Sequence, residues 1–438
     1  MSVFDLRFDQ LLNWFGWIPG AILFIAAAIG LVAVLRSPQP AGLLTLSALV
    51  IFLAVGGLLF LPEAPRIAKA FLWLAWPPAR PVPSGSLAVG TAGIILSPGG
   101  ASDAPVIAQI WYPAAKGRSH ANLPSQTAAP LPCPAFMDSE VLSGEHPQYP
   151  VILYAPGNGG GRTDSASTAA ELASHSYVVL AIDDIDRDPP SRHPGEEIAQ
   201  PLAFDFSSAA ALEKTLSAGD RKVRRQAEKA MQALNLFESC ANGDWRARVR
   251  FDRIGFLGFS FGGSTAAEAG TLDGRVAAVV NLDGWLFGQA ARGALDKPYM
   301  IILIEDAVFP DERRAESPNS RKRYEAVLTA RDLREEVRLA NQPDGYGFRI
   351  LRSFHENLSD QIFSRDYFKK WLIADVYRVK SILNAYLLAF FDSYLRDNPS
   401  PLLGQTRSPF RGVETLKGNE VWLSEAAQSA LRSPEKPD

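Results

Sequence analysis

A serine hydroxyl is a weak nucleophile until a base takes its proton and the backbone holds it within reach of a substrate. Residues 253–269 read RIGFLGFSFGGSTAAEA, with Ser260 between Phe259 and Phe261, Gly258 two positions before it and Gly262 two after. The G-x-S-x-G spacing has a steric purpose. It lets the serine sit in a strained conformation on a sharp strand-to-helix turn, where a side chain at either glycine would collide with neighbouring elements. The hydroxyl is then exposed near a helix N-terminus, whose dipole favours developing negative charge. An apolar run leads into the turn and an alanine-rich stretch leads out. The chemistry expected of Ser260 is nucleophilic attack.

The base must be found elsewhere in the chain. There are five histidines, His120, His146, His175, His193 and His355. For a strand-turn-helix serine the chain order is nucleophile, acid, base. Only His355 follows Ser260, in the loop SFHENLSD after the last apolar run. His175, in LASHSYVV, stands at a helix–strand junction and reads as a structural hydrogen-bonder. The other three fall in polar loops. Two aspartates are placed to orient an imidazole: Asp283 ends AAVVNLD and Asp306 ends IILIED. Both are strand-end carboxylates, and the pattern alone leaves both open. An oxyanion needs two backbone N–H groups. Phe261, the residue after the serine, offers one. The loop APGNGGGR (155–162) offers the other, with Asn158 as the candidate. Its glycines do not form a nucleotide site, because no GK[ST] follows and the spacing is not GxGxxG. A side-chain nucleophile of this kind needs no metal and no organic cofactor.

These residues must be carried by a sheet. VGTAGIIL (89–96) and PVIAQIWYP (105–113) read as early strands. VILYA (151–155), YVVLAID (177–183), RIGFLGF (253–259), AAVVNLD (277–283), YMIILIE (299–305) and GFRILR (347–352) are short continuous apolar runs. Such runs suit strands covered on both faces. Helical stretches fall between most of them, including 165–174 and a long charged one at 206–238. The alternation predicts an α/β fold, a mostly parallel sheet flanked by helices, of the α/β-hydrolase kind.

The 438 residues exceed one small domain, and a net charge of −3, from 44 basic and 47 acidic residues, argues against nucleic acid as a partner. Cys133 and Cys240 lack the spacing of a zinc site and are read either as one disulfide or as two free thiols. The N-terminus differs from the rest. Residues 17–35 and 41–61 carry no charge and are each long enough to cross a bilayer as a helix. The connecting Arg36-Ser-Pro-Gln-Pro suits a tight hairpin. Residues 1–63 are thus expected to be a membrane anchor. Residues 67–76 are too short to span and read as an interfacial helix, followed by the stiff linker PPARPVPSG (77–85). The catalytic domain is expected over 86–399, with a polar tail at 400–438. Arg7, Arg66, Lys69 and Arg80 flank the spans against Arg36 in the turn, so the positive-inside rule places the domain in the cytoplasm.

With these pieces in order, the chain resembles the plasma and intracellular type-II platelet-activating-factor acetylhydrolases and their bacterial relatives, often described as predicted dienelactone hydrolases. The resemblance is carried by QIWYP (109–113), YPVILYAPGNGGGR (149–162), LASHSYVVLAID (172–183), RIGFLGFSFGG (253–263), NLDGWLF (281–287) and SFHENLSDQIF (353–363). It implies Ser260 as nucleophile, His355 as base and the aspartate of NLDGWLF, Asp283, as acid in preference to Asp306. It also implies oxyanion amides from Asn158 and Phe261. The implied activity is carboxylic-ester hydrolysis through an acyl-enzyme, on phospholipids with a short or oxidised sn-2 chain. Two positions depart from the family: Phe259 stands where GHSFGG has histidine, and Pro156-Gly157 stands where the oxyanion loop tends to have HG. Both bear on pocket shape. A general short-chain carboxylesterase or polyesterase is the second reading, and a catalytically silent membrane scaffold a third.

Overall fold

The computed structural model describes residues 79–97, 105–115, 130–139, 142–186, 201–305, 316–367, 370–371 and 374–418. The chain divides into two units, Met1–Pro78 and Ala79–Asp438, and every described residue belongs to the second. The expected spans at 17–35 and 41–61, the expected interfacial helix at 67–76, Asp306, His120 and His193 lie outside the described residues. Among the described residues, no helix is long and apolar enough to cross a membrane.

The element order is β1 (Val89–Leu96), β2 (Val106–Pro113), β3 (Leu131–Pro132), α1 (Cys133–Ser139), β4 (Tyr149–Ala155), α2 (Ala166–Ser174) and β5 (Val178–Ile182). Then come α3 (Ala209–Cys240), α4 (Gly243–Arg248), β6 (Val249–Phe259), α5 (Phe261–Leu272), β7 (Val276–Leu282) and β8 (Tyr299–Ile304). The chain continues with α6 (Ser320–Asn341), β9 (Gly345–Ile350), α7 (Val376–Leu395) and β10 (Val413–Thr415). The strands form one 10-stranded sheet in the order β10-β9-β8-β7-β6-β4-β5-β2-β1-β3. From β5 through β4, β6, β7 and β8 to β9 the pairs are parallel, while β2 joins β5, and β1 joins β2, antiparallel. This is the α/β-hydrolase-like mixed sheet with flanking helices that the apolar runs predict.

Alternation within each strand divides the core into two layers. Val151, Leu153 and Ala155 of β4 face one layer, with α3, α5 and α6; Ile152 and Tyr154 face the other, with α2 and α7. Every residue of β4 and β5 is buried, as double coverage demands.

Three features differ from the sequence pattern or complete it. The stretch after residue 399 is not all loop. Val413 and Thr415 are β-branched, and with Glu414 they pair antiparallel with Ile350, Arg349 and Phe348, closing the free edge of β9. The proline-rich residues from 79 lie on the domain: Tyr377 Oη donates to the Ala79 carbonyl at 2.9 Å, and the Gly85 N–H donates to Ser174 Oγ at 3.1 Å. Cys133 and Cys240 are bonded, linking α1 to the end of α3 across 107 residues with Cα atoms 6.3 Å apart.

Candidate active site

In a parallel sheet the carboxyl ends of the strands share one edge, and loops leaving that edge converge. Ala155 of β4 pairs with Gly258 of β6, and Phe259 of β6 pairs with Leu282 of β7. The residues that follow these strand ends are Pro156–Asn158, Ser260 and Asp283. Ile304 of β8 pairs with Ile350 of β9, and the loop after β9 reaches His355.

Ser260 has φ 55° and ψ −125°, in the left-handed half of the map where non-glycine residues are strained. The surrounding structure over-determines it. Its N–H donates to the Leu282 carbonyl at 2.8 Å, and its own carbonyl accepts from Gly263 N–H at 2.8 Å. A Cβ on Gly258 would stand 1.9 Å from the Gly262 carbonyl oxygen, and one on Gly262 would stand 2.1 Å from the Ala155 carbonyl oxygen. The two glycines of the motif are therefore required by backbone approaching backbone. Phe261 opens α5, so its N–H is one of the helix's unpaired donors.

Asp283 follows β7 with φ 54°. Its N–H donates to the Ile302 carbonyl at 3.0 Å, and its Oδ1 accepts from Ile304 N–H at 3.4 Å. Its other oxygen, Oδ2, is 2.6 Å from Nδ1 of His355. That contact fixes the imidazole with Nε2 free for another partner. The ring of Phe259 lies against the imidazole, centroids 4.6 Å apart and tilted by 34°. Phe259 thus packs on the His355 imidazole from the position where the resembling family has histidine. Among the described residues, Ser260 Oγ makes no hydrogen bond. Such bonds are often long in unliganded sites and tighten when substrate is bound.

Asn158 is held by three hydrogen bonds. Nδ2 donates to the Leu202 carbonyl at 2.8 Å, while Oδ1 accepts from Leu202 N–H at 3.0 Å and from Lys222 Nζ at 2.6 Å. With its side chain so engaged, the loop offers its backbone to the cavity. Lys222 comes from α3 and is 3% exposed. It also pairs with Asp184 at 3.0 Å and Asp186 at 2.7 Å, and stands over the Phe261 ring, 5.1 Å from its centroid. The sequence pattern did not single it out. A lysine within a charged helical stretch reads as solvated, and its only signal was its place in the helix that passes behind the glycine loop.

Ser260, Asp283, His355, Asn158 and Phe261 all line one cavity of about 360 Å³. Its wall is completed by Phe204, Trp285, Phe287, Leu303, Ile304 and one face of α6. Phe204 and Trp285 meet edge to face, centroids 5.4 Å apart. The segment holding Asp283 and Trp285 is gripped from α6, where Asp332 accepts from Leu286 N–H at 3.1 Å and pairs with Arg331 at 2.7 Å. Burial pushes the Asp332 carboxyl up to about 7, with Arg331 opposing the rise.

The other histidines do not meet this cavity. His175 Nε2 lies 3.3 Å from Glu171 and 3.2 Å from Ser84 Oγ, where it ties α2 to the chain that leads into the domain. His146 packs beside Tyr149 at the opposite, amino end of β4. Among the described residues, no group of three or more histidine, cysteine, aspartate or glutamate side chains is arranged to hold a metal.

Residues 118–331 match the family model for platelet-activating factor acetylhydrolase, isoform II. The platelet-activating factor acetylhydrolase of Canis lupus familiaris is 28% identical over 207 residues, 41% of this chain and 44% of that protein. That of Cavia porcellus is 24% identical over 296 residues, 60% of this chain and 61% of that protein. A solved structure of a ferulic acid esterase from Streptomyces cinnamoneus is 23% identical, with a TM-score of 0.49, covering 77% of this chain and 99% of that one. The chain spans about half the length of the curated relatives it matches. The family match holds Ser260 and Asp283 and ends before His355, which the fold brings back to them. This chain is thus similar to the platelet-activating factor acetylhydrolases, matching the model of their isoform II family over residues 118–331.

Proposed function

We propose that the protein is a serine carboxylic-ester hydrolase that acts through an acyl-enzyme on phospholipids bearing a short or oxidised sn-2 acyl chain. The observation that supports this reading best is the 2.6 Å contact between His355 Nδ1 and Asp283 Oδ2 in the wall of the cavity that also exposes Ser260. Ser260 Oγ attacks the ester carbonyl while His355 Nε2 takes its proton. Asp283 keeps Nδ1 protonated and stabilises the imidazolium as it forms. The amides of Asn158 and Phe261 bind the oxyanion, where preorganised donors cost no reorganisation. Collapse expels the alcohol, which takes the proton from His355. Water then enters by the same route and releases the acid. The mechanism draws on no metal and no organic cofactor.

The cavity supports a small acyl group. At about 30 Å³ per water-sized group, its volume admits roughly a dozen non-hydrogen atoms. The relatives' names support an acetyl-type phospholipid ester. The apolar stretches at 17–35 and 41–61 fit the same reading, since a bilayer anchor would hold the site among such lipids.

Steady-state hydrolysis by the full-length protein in detergent tests the reading. Phosphatidylcholines with an sn-2 acetyl or butanoyl chain should turn over, and the sn-2 palmitoyl analogue should not. Turnover of soluble short-chain esters alone would leave a general carboxylesterase. No turnover of any ester, with folding intact, would leave the scaffold.

A further inference from the structure

The wall formed by α6 carries an acid that the triad chemistry does not use. Glu325, Thr329, Leu333 and Glu336 follow one another at helical spacing and present one face of the helix to the cavity. Glu325 is partly exposed, whereas Glu336 is 4% exposed. Thr329 is satisfied, its hydroxyl donating to the Glu325 carbonyl at 2.9 Å. Among the described residues, no hydrogen bond or ion pair reaches the Glu336 carboxyl. A buried polar group without a partner is costly, and the Glu336 side chain lines the cavity, where a bound molecule can supply one.

Its surroundings decide which protonation state meets the visitor. Burial is the main cause holding the Glu336 carboxyl well above the ordinary carboxylate range, and the nearby Asp332 and Asp283 push the same way. That environment favours the neutral form of the acid, which has an O–H to donate. The direction of the cavity decides which part of a substrate meets it. His355 must return its proton to the leaving alcohol, and its side chain is 35% exposed. The alcohol therefore lies on the solvent side. Leu303, Leu333 and Glu336 line the same cavity and are buried, which leaves their side of it for the acyl chain.

We propose that Glu336 is a specificity-determining residue that donates a hydrogen bond to an oxygen acceptor, a carbonyl or ester oxygen, carried on the acyl chain a few carbons from the scissile ester. The proposal rests on the ester-hydrolase reading of the same cavity. It selects acyl groups with a polar far end over plain alkanoyl groups of equal length. A site that hydrogen-bonds a substrate oxygen discriminates against an analogue lacking it, because the buried group is then left unpaired.

The test compares pentanoate and 4-oxopentanoate esters of one alcohol, which differ by a single carbonyl at the fourth carbon. The wild type should favour the 4-oxo ester in kcat/KM by roughly three- to tenfold, the range one neutral hydrogen bond supports. Glu336→Leu should bring the ratio to about one. Glu336→Gln retains a donor and should retain most of the preference, which also guards against a Leu variant that fails to fold. Turnover of both esters without preference in the wild type overturns the proposal alone. Equal loss on both esters in Glu336→Leu and Glu336→Gln also overturns it, by marking a structural role. Absence of turnover on either ester in folded protein that also fails to react with a fluorophosphonate overturns the hydrolase reading, and the proposal with it.

Discussion

In the proposed mechanism Ser260 gives up a proton, His355 takes it and Asp283 orients the imidazole, so each should cost activity in its own way. Ser260→Ala and His355→Ala should each lower kcat by several orders of magnitude, to the level that binding and the oxyanion donors support alone. Asp283→Asn should cost on the order of 10⁴-fold, because an amide beside Nδ1 favours the wrong imidazole tautomer. Asp306→Asn should cost far less; were it the more damaging change, Asp283 would not be the acid. Lys222 is a positioning residue for the glycine loop. Lys222→Met leaves the buried Asp184 and the part-buried Asp186 without the cation that contacts them, and urea denaturation should register a loss of about 3 kcal/mol. Its effect on hydrolysis should fall on kcat more than on KM, with partial recovery in Lys222→Arg. The three triad candidates were legible because each sits at a signal that the chain displays openly: a glycine-flanked serine, the only histidine after it and an aspartate at a strand end. Lys222 and Glu336 were not. Both belong to charge-rich helices, where a pattern of polar residues cannot separate the side chain facing inward from those facing water.

At the scale of elements, the extended pattern at 89–96 matches β1, and the apolar runs match the parallel strands to within a few residues, because double burial leaves those strands so little choice of side chain. The short edge strand β10 escaped notice, since three residues on a sheet edge need no apolar pattern. The helix α6 matters most for the site, since it grips the Asp283–Phe287 segment through Asp332. That acid has an ordinary value of 3.8 and is raised to about 7 by burial. The unfolded chain loses the proton near 3.8 and the native protein only near 7. Stability from this group is therefore complete below 3.8 and declines as pH rises toward 7. Thermal melts from pH 4 to 7 should show the wild type losing ground to Asp332→Asn, by an amount on the order of a few kcal/mol in total. A constant difference across that range would contradict the assignment.

Across the whole molecule, the histidine loop is tied to both the sheet's helices and the chain's entry into the domain. Asp360 accepts from Ser167 N–H at 2.8 Å and pairs with Lys380 and Arg80 at 3.1 Å each. Lys380 is 1% exposed, so Asp360→Ala strands a buried cation and should cost about 3–5 kcal/mol in denaturant unfolding. Where the domain resides is a separate proposal. The charges flanking residues 17–61 predict a cytoplasmic domain, whereas disulfides such as Cys133–Cys240 persist mainly in oxidising compartments. Protease added to intact cells should spare a C-terminal epitope if the charges decide; digestion without membrane rupture would side with the disulfide. The central claim is that Ser260 is an activated nucleophile, and one measurement addresses it directly. The full-length protein is treated with a fluorophosphonate, digested and mapped by mass spectrometry. The account predicts a stoichiometric adduct on Ser260, abolished in Ser260→Ala and strongly slowed in His355→Ala. Folded protein that remains unlabelled, or labelling confined to another serine, would contradict it.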